Sequence, residues 1–127
     1  MSFDSIPAQW HTSLNRLGGN VQLLKELARF YLEDHGPLLR DLKLHLEARR
    51  AETAERSAHS MKGLSANFDR MELVDICAQA EQLARAGAID EALALYPRLE
   101  NEASRLAEEL QYFLREGSPM PSSGADG

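Results

Sequence analysis

Apolar positions recur every three or four residues along almost the whole chain, the spacing of helices that bury one face. Between Ser2 and Gly19, the residues Ile6, Trp10, Leu14 and Leu17 keep that spacing. A short amphipathic helix is expected there, with Pro7 tolerated in its first turn and Gly18-Gly19 closing it. Asn20 suits the N-cap of a second segment, whose apolar face holds Val21, Leu24, Leu27, Ala28 and Tyr31. Gly36-Pro37 interrupts this segment, and Leu38, Leu39, Leu42 and Leu46 resume the pattern at once. One kinked helix or two abutting helices both satisfy the stretch, since Pro37 removes an internal hydrogen bond.

A third helix is expected from Glu52 to Phe68. A fourth, capped by Asp69, carries Leu73, Val74, Ile76, Cys77, Ala80 and Leu83 and stops at Gly87. A fifth runs from Ile89 to Leu114, with Leu93, Leu95, Leu99, Leu106, Leu110 and Phe113 apolar and a bend expected at Pro97. No alternating stretch is long enough for a sheet. Long amphipathic helices with short joints predict an all-α fold, an antiparallel four-helix bundle with a short additional N-terminal helix. Residues 117–127 are Gly, Ser and Pro with almost no apolar content, so a flexible tail is expected after a domain spanning 1–116.

Composition narrows the function. The 127 residues suffice for one domain with one core, and the 6% aromatic content favours helix over sheet. A net charge of −6 argues against a general nucleic-acid binder and, more weakly, against docking to anionic lipid. Cys77 is the single cysteine, which rules out an internal disulfide and fits a reducing compartment. No apolar run approaches the ~20 residues of a membrane span, and Met1 to Trp10 lacks the pattern of a signal peptide. A soluble cytoplasmic protein without membrane insertion is expected.

The chemistry concentrates in Ser57-Ala58-His59-Ser60-Met61-Lys62-Gly63-Leu64. On a helical projection Ala54, Ala58, Met61, Ser65 and Phe68 fall on one side, and His59 points away from them. Lys62 and Gly63, at i+3 and i+4, share the face of His59. Glycine inside a helix costs roughly 1 kcal/mol relative to alanine. A reason to keep it here is close approach by another molecule beside His59. A neutral imidazole is a nucleophile near neutral pH, and a lysine one turn away can offset charge on a phosphoryl group. The sequence has no Gly-rich nucleotide loop and no acidic cluster suited to magnesium, so nucleotide chemistry must occur elsewhere. No second His or Cys stands at i+3 or i+4 to make His59 a helical metal ligand. His11, His35 and His45 read as ordinary histidines, and Cys77 as a core residue.

These residues resemble the histidine phosphotransfer family of bacterial two-component phosphorelays. Ala58-His59-Ser60-Met61-Lys62-Gly63 is similar to the family's A-H-x-L-K-G core, with Met for Leu. Ser65, Ala66 and Asn67 follow in the family manner, and Leu73, Cys77, Glu81 and Arg85 fall at its spacings. Upstream, Leu17-Gly18-Gly19-Asn20 and Phe30-Tyr31-Leu32-Glu33-Asp34 before Pro37 resemble family segments, and Ala84-Arg85-Ala86-Gly87 does so downstream. The resemblance covers roughly Leu14 to Leu114. It departs at Asp69-Arg70, where the family has Gly-Ala, at Ala80, where Leu is usual, and at Glu81, where an amide is common.

The resemblance implies a phosphoryl carrier rather than an enzyme with its own kinase site. His59 would be the phosphoacceptor, Lys62 would stabilise the phosphoryl oxygens and Gly63 would admit a receiver domain. Glu81 would orient the His59 ring, and Arg85 would lie near the phosphate. The implied partners are response-regulator receiver domains and a hybrid sensor histidine kinase. No cofactor of its own is implied; magnesium is expected on the partner receiver. Trp10 and Leu14 take a candidate docking role from the same resemblance, beside their plainer reading as core-capping residues. A monomer is expected. The alternative is a helical interaction module of the same fold that binds receivers or kinases without being phosphorylated.

Overall fold

The computed structural model describes residues 6–117. The expected tail and the first five residues therefore lie outside the described part, apart from Gly117. After a 3-10 turn, Ala8–Trp10, come the helices α1 (His11–Arg16), α2 (Val21–Glu47), α3 (Ala51–Ala66), α4 (Met71–Arg85) and α5 (Ile89–Glu116). No strand occurs among the described residues. Packing closes a ring in which α2 meets α3, α3 meets α4, α4 meets α5 and α5 meets α2. With tight turns between successive helices, this is the antiparallel four-helix bundle, and α1 lies against one end of it.

Pro37 leaves α2 unbroken over 27 residues, about 40 Å. Its ring costs one backbone bond, and the apolar stripe on both sides holds the helix against the bundle: Leu24, Ala28, Tyr31, Leu39, Leu42 and Leu46 are all buried. Pro97 is likewise carried inside the 28-residue α5. Two tyrosines tie these long helices together. Tyr31 on α2 donates its hydroxyl hydrogen to the Ala103 carbonyl on α5 at 2.8 Å. Tyr96 on α5 donates to the Leu39 carbonyl on α2 at 2.9 Å.

The turns explain why the helices stop where they do. Asn20 caps α2 as expected, its side chain accepting from the Leu23 N–H at 3.0 Å. Gly87, with φ of 76°, ends α4 in a Schellman turn, the Ala88 N–H bonding the Leu83 carbonyl at 2.8 Å. Arg49 fills the equivalent left-handed position after α2, with φ of 58°, where sequence offers no glycine to mark it.

Asp69 behaves differently from expectation. It is not the N-cap of α4; that position is Arg70, which makes no side-chain cap bond. Asp69 instead adopts φ of 52° and turns its carboxylate toward α1. One oxygen accepts from the Ser13 hydroxyl at 2.7 Å and the other from Arg16 at 2.8 Å. Burial raises the Asp69 pKa, but the bonds from Arg16 and Ser13 and the Arg16 charge together outweigh it and hold the carboxyl below its usual range. The partner available in space, rather than the neighbouring N–H, decides what this side chain does.

Trp10 closes the same end of the bundle. Its indole meets the ring edges of Phe68 and Phe113, with centroids 6.1 and 5.4 Å away. Trp10 and Leu14 are 1% and 0% exposed. The docking role is corrected accordingly: both side chains are core, and neither offers surface to a partner.

The crossing bonds set an expectation for stability. Tyr31→Phe removes the hydroxyl bond that ties α2 to the Ala103 carbonyl and should lower unfolding stability by about 1 kcal/mol, read as a reduced urea midpoint at unchanged slope.

Candidate phosphotransfer site

The site begins with how closely α3 and α4 approach. Both helices present small buried side chains, Ala54 and Ala58 on α3 and Ala80 and Ala84 on α4. Without bulky residues between them, the edges of the two helices come within hydrogen-bonding reach. Glu81 lies on that seam at 8% side-chain exposure, while His59 across from it is 67% exposed.

Glu81 joins the site residues. One oxygen, Oε2, lies 2.8 Å from His59 Nδ1, and the other, Oε1, lies 2.7 Å from Lys62 Nζ. The Lys62 hydrogen bond does most to hold the Glu81 carboxyl below its usual range; burial pushes the other way, and the His59 contact adds to Lys62. Glu81 is therefore ionised at neutral pH and can only accept. It follows that His59 donates through Nδ1–H, which fixes the tautomer and leaves the Nε2 lone pair pointing away from Glu81.

Arg85 reaches the site through Glu81. Its Nη2 is 3.4 Å from Glu81 Oε2, and its Nε donates to Glu55 Oε2 at 2.7 Å. Glu55 is a member of the cluster that the motif around His59 does not reveal. Sequence carries half of its signal, a position four residues before His59 on the same face of α3; that Arg85 of α4 lies across from it is visible only in the fold. A chain of alternating charge thus runs along the seam, from Glu55 through Arg85 and Glu81 to Lys62 and His59.

On the other flank of His59 the surface is bare. Gly63 is exposed, and a Cβ built on it would meet nothing within 4 Å. No packing inside the chain requires glycine there. An open groove follows, between Asp34, Pro37, Leu38 and Asp41 of α2 and Ser60, Gly63 and Leu64 of α3. No group of three or more His, Cys, Asp or Glu among the described residues is placed to hold a metal ion. Cys77 is buried in the core, its thiol pushed up to about 12 by burial. His35 stays local, its Nδ1 3.0 Å from the Tyr31 carbonyl and its ring stacked on Tyr31.

The Hpt domain family matches residues 26–117, most of the chain. The chain belongs to the Hpt domain family. Its fold is similar to the crystal structure of histidine-containing phosphotransfer protein B from Pseudomonas aeruginosa PAO1, with a TM-score of 0.75 and 25% identity over 90% of this chain and 97% of that one. No curated protein matches at a significant level. As an Hpt domain, the chain is a histidine phosphotransfer protein of the phosphorelay type. No helix among the described residues is long and apolar enough to cross a membrane.

The acid limb of stability should report Glu81. Its folded pKa is depressed, so its contribution is complete above the ordinary carboxylate value of 4.5 and is lost as pH falls below it. Thermal unfolding followed from pH 6 to about pH 3 should show this loss in the wild type and a shallower acid limb in Glu81→Gln.

Proposed function

We propose that His59 accepts a phosphoryl group on Nε2 from the aspartyl phosphate of a receiver domain and returns it to the aspartate of a second one. The observation that carries this reading is the His59–Glu81 bond, which commits Nδ1 as donor and leaves Nε2 as the outward nucleophile. In the forward step the Nε2 lone pair forms the N–P bond while the P–O bond to the aspartate breaks, and the aspartate leaves as a carboxylate. The positive charge that develops on the ring is spread to Nδ1–H, where the Glu81 carboxylate meets it. The reverse step runs through the same contacts.

Lys62 supplies the other half of the electrostatics. Its ammonium has three N–H donors, and one is committed to Glu81. The remaining two are free to serve phosphoryl oxygens arriving at Nε2. Gly63 gives the receiver backbone room to bring its aspartate in line. Arg85 acts through Glu81 and Glu55, steadying the carboxylate that steadies the ring. Magnesium belongs to the receiver, and the nucleotide chemistry to a hybrid sensor kinase upstream. The chain is then a monomeric cytoplasmic carrier, with no kinase site of its own.

The direct test is incubation of the full chain with receiver domains charged by acetyl phosphate. The wild type should gain acid-labile label and His59→Gln should gain none. Label that persists in His59→Gln overturns the assignment, and receiver binding without any transfer decides for the interaction module. Gly63 gives a second, sharper expectation. Gly63→Gln should match or exceed wild-type thermal stability, by up to about 1 kcal/mol, because it removes a helical glycine from open space. The same variant should transfer at least tenfold more slowly in a stopped-time labelling assay; unchanged transfer would mean the glycine does not serve access.

A further inference from the structure

The Glu81 carboxylate is met from three sides, and not with equal grip. Lys62 and His59 stand at 2.7 and 2.8 Å, but Arg85 Nη2 reaches Oε2 only at 3.4 Å, beyond the usual length of an N–H···O bond. Arg85 is also 61% exposed, with a long side chain that loses rotamer freedom if it is held. A contact of that length cannot by itself keep so flexible a residue over the carboxylate.

Glu55 does so instead. Arg85 Nε donates to Glu55 Oε2 at 2.7 Å, and the Glu55 side chain is only 26% exposed. The Glu55 hydrogen bond comes first and the Glu55 charge next in raising the Arg85 pKa above its ordinary value; desolvation opposes them, and the Glu81 charge adds least. The register of the two helices explains the arrangement. Glu55 and His59 are one turn apart on α3, as Glu81 and Arg85 are on α4. The helices run antiparallel, so Glu55 faces Arg85 where His59 faces Glu81. The guanidinium is a planar fork: with Nε fixed by Glu55, Nη2 is aimed at Glu81.

We propose that Glu55 is a positioning residue for His59: it fixes Arg85, Arg85 restrains the Glu81 carboxylate, and the ring is thereby kept in its Nδ1–H tautomer while phosphoryl is exchanged. This rests on the reading that His59 carries the phosphoryl group. The need arises from Lys62. Lys62 does most to keep Glu81 ionised, and it is also the cation that arriving phosphoryl oxygens draw on. At that moment the second cation on Glu81 keeps the carboxylate from following the lysine toward the phosphoryl group. A ring released from Glu81 can take either tautomer, and the Nε2–H form has no lone pair to attack with.

The test uses the full chain in two measurements: His59 tautomer populations from imidazole nitrogen NMR shifts of the unphosphorylated protein, and transfer from receiver domains charged with acetyl phosphate. Glu55→Gln should show a measurable share of the Nε2–H tautomer and transfer about two- to fivefold more slowly, the size that exposed ion pairs carry. Arg85→Ala should do the same, and Glu55→Gln/Arg85→Ala should be no worse than Arg85→Ala alone, because the two act in series. Glu52→Gln removes the same charge from an exposed position in the first turn of α3 and should leave tautomer and rate as in the wild type. Additive effects in the double variant would overturn the proposal, since Glu55 would then act on the ring directly. A Glu55→Gln protein with a lowered urea midpoint but wild-type tautomer and rate would overturn it too, leaving Glu55 a purely structural role. Failure of every receiver to label the wild type would instead strike the proposed function, and the tautomer measurement would still decide the role of Glu55.

Discussion

A carboxylate taken out of water must be met by positive charge or by hydrogen-bond donors, or it will not stay ionised. Glu81 is in that position, and the site is organised by how the chain meets the demand. Lys62 takes one oxygen and the His59 ring takes the other. Because an anion can only accept, the ring has no choice of tautomer. The ring nitrogen that keeps its lone pair is thereby selected by a carboxylate bonded to the other nitrogen. The close packing of α3 on α4 is what brings the carboxylate within reach, so alanines at the helix seam are as much a part of the site as the histidine.

The bundle supplies rigidity where the site needs it and leaves function on the outside. The long helices α2 and α5 are fastened by two tyrosine hydroxyls in opposite directions. One end is closed by Trp10 among Phe68 and Phe113, and α1 is held there by Asp69. None of this apparatus touches His59. The exposed ring thus stands on a scaffold held by contacts remote from it.

The sequence made the helical architecture legible because the apolar spacing repeats over long segments. The same spacing placed His59, Lys62 and Gly63 together on the face away from the core. The carboxylate of Glu81 was harder to place, since an edge position on α4 is compatible with water or with a partner and only the interhelical distance decides. Pro37 left two readings open because its cost is local, whereas the packing that overrides it comes from residues on both sides. Asp69 was read from its neighbours in sequence, but its partners, Ser13 and Arg16, lie more than fifty positions away. Glu55 escaped because it matters only once Arg85 is known to face it.

Cys77 has a consequence of another kind. Its sulfur is fully enclosed between helices and its thiol resists ionisation, so reagents and oxidants that need a thiolate meet almost none in the folded state. The same enclosure makes that sulfhydryl a native clock. Its rate of alkylation counts openings of the α3–α4 half of the bundle, the half that holds His59 and Glu81, without any label having to be introduced.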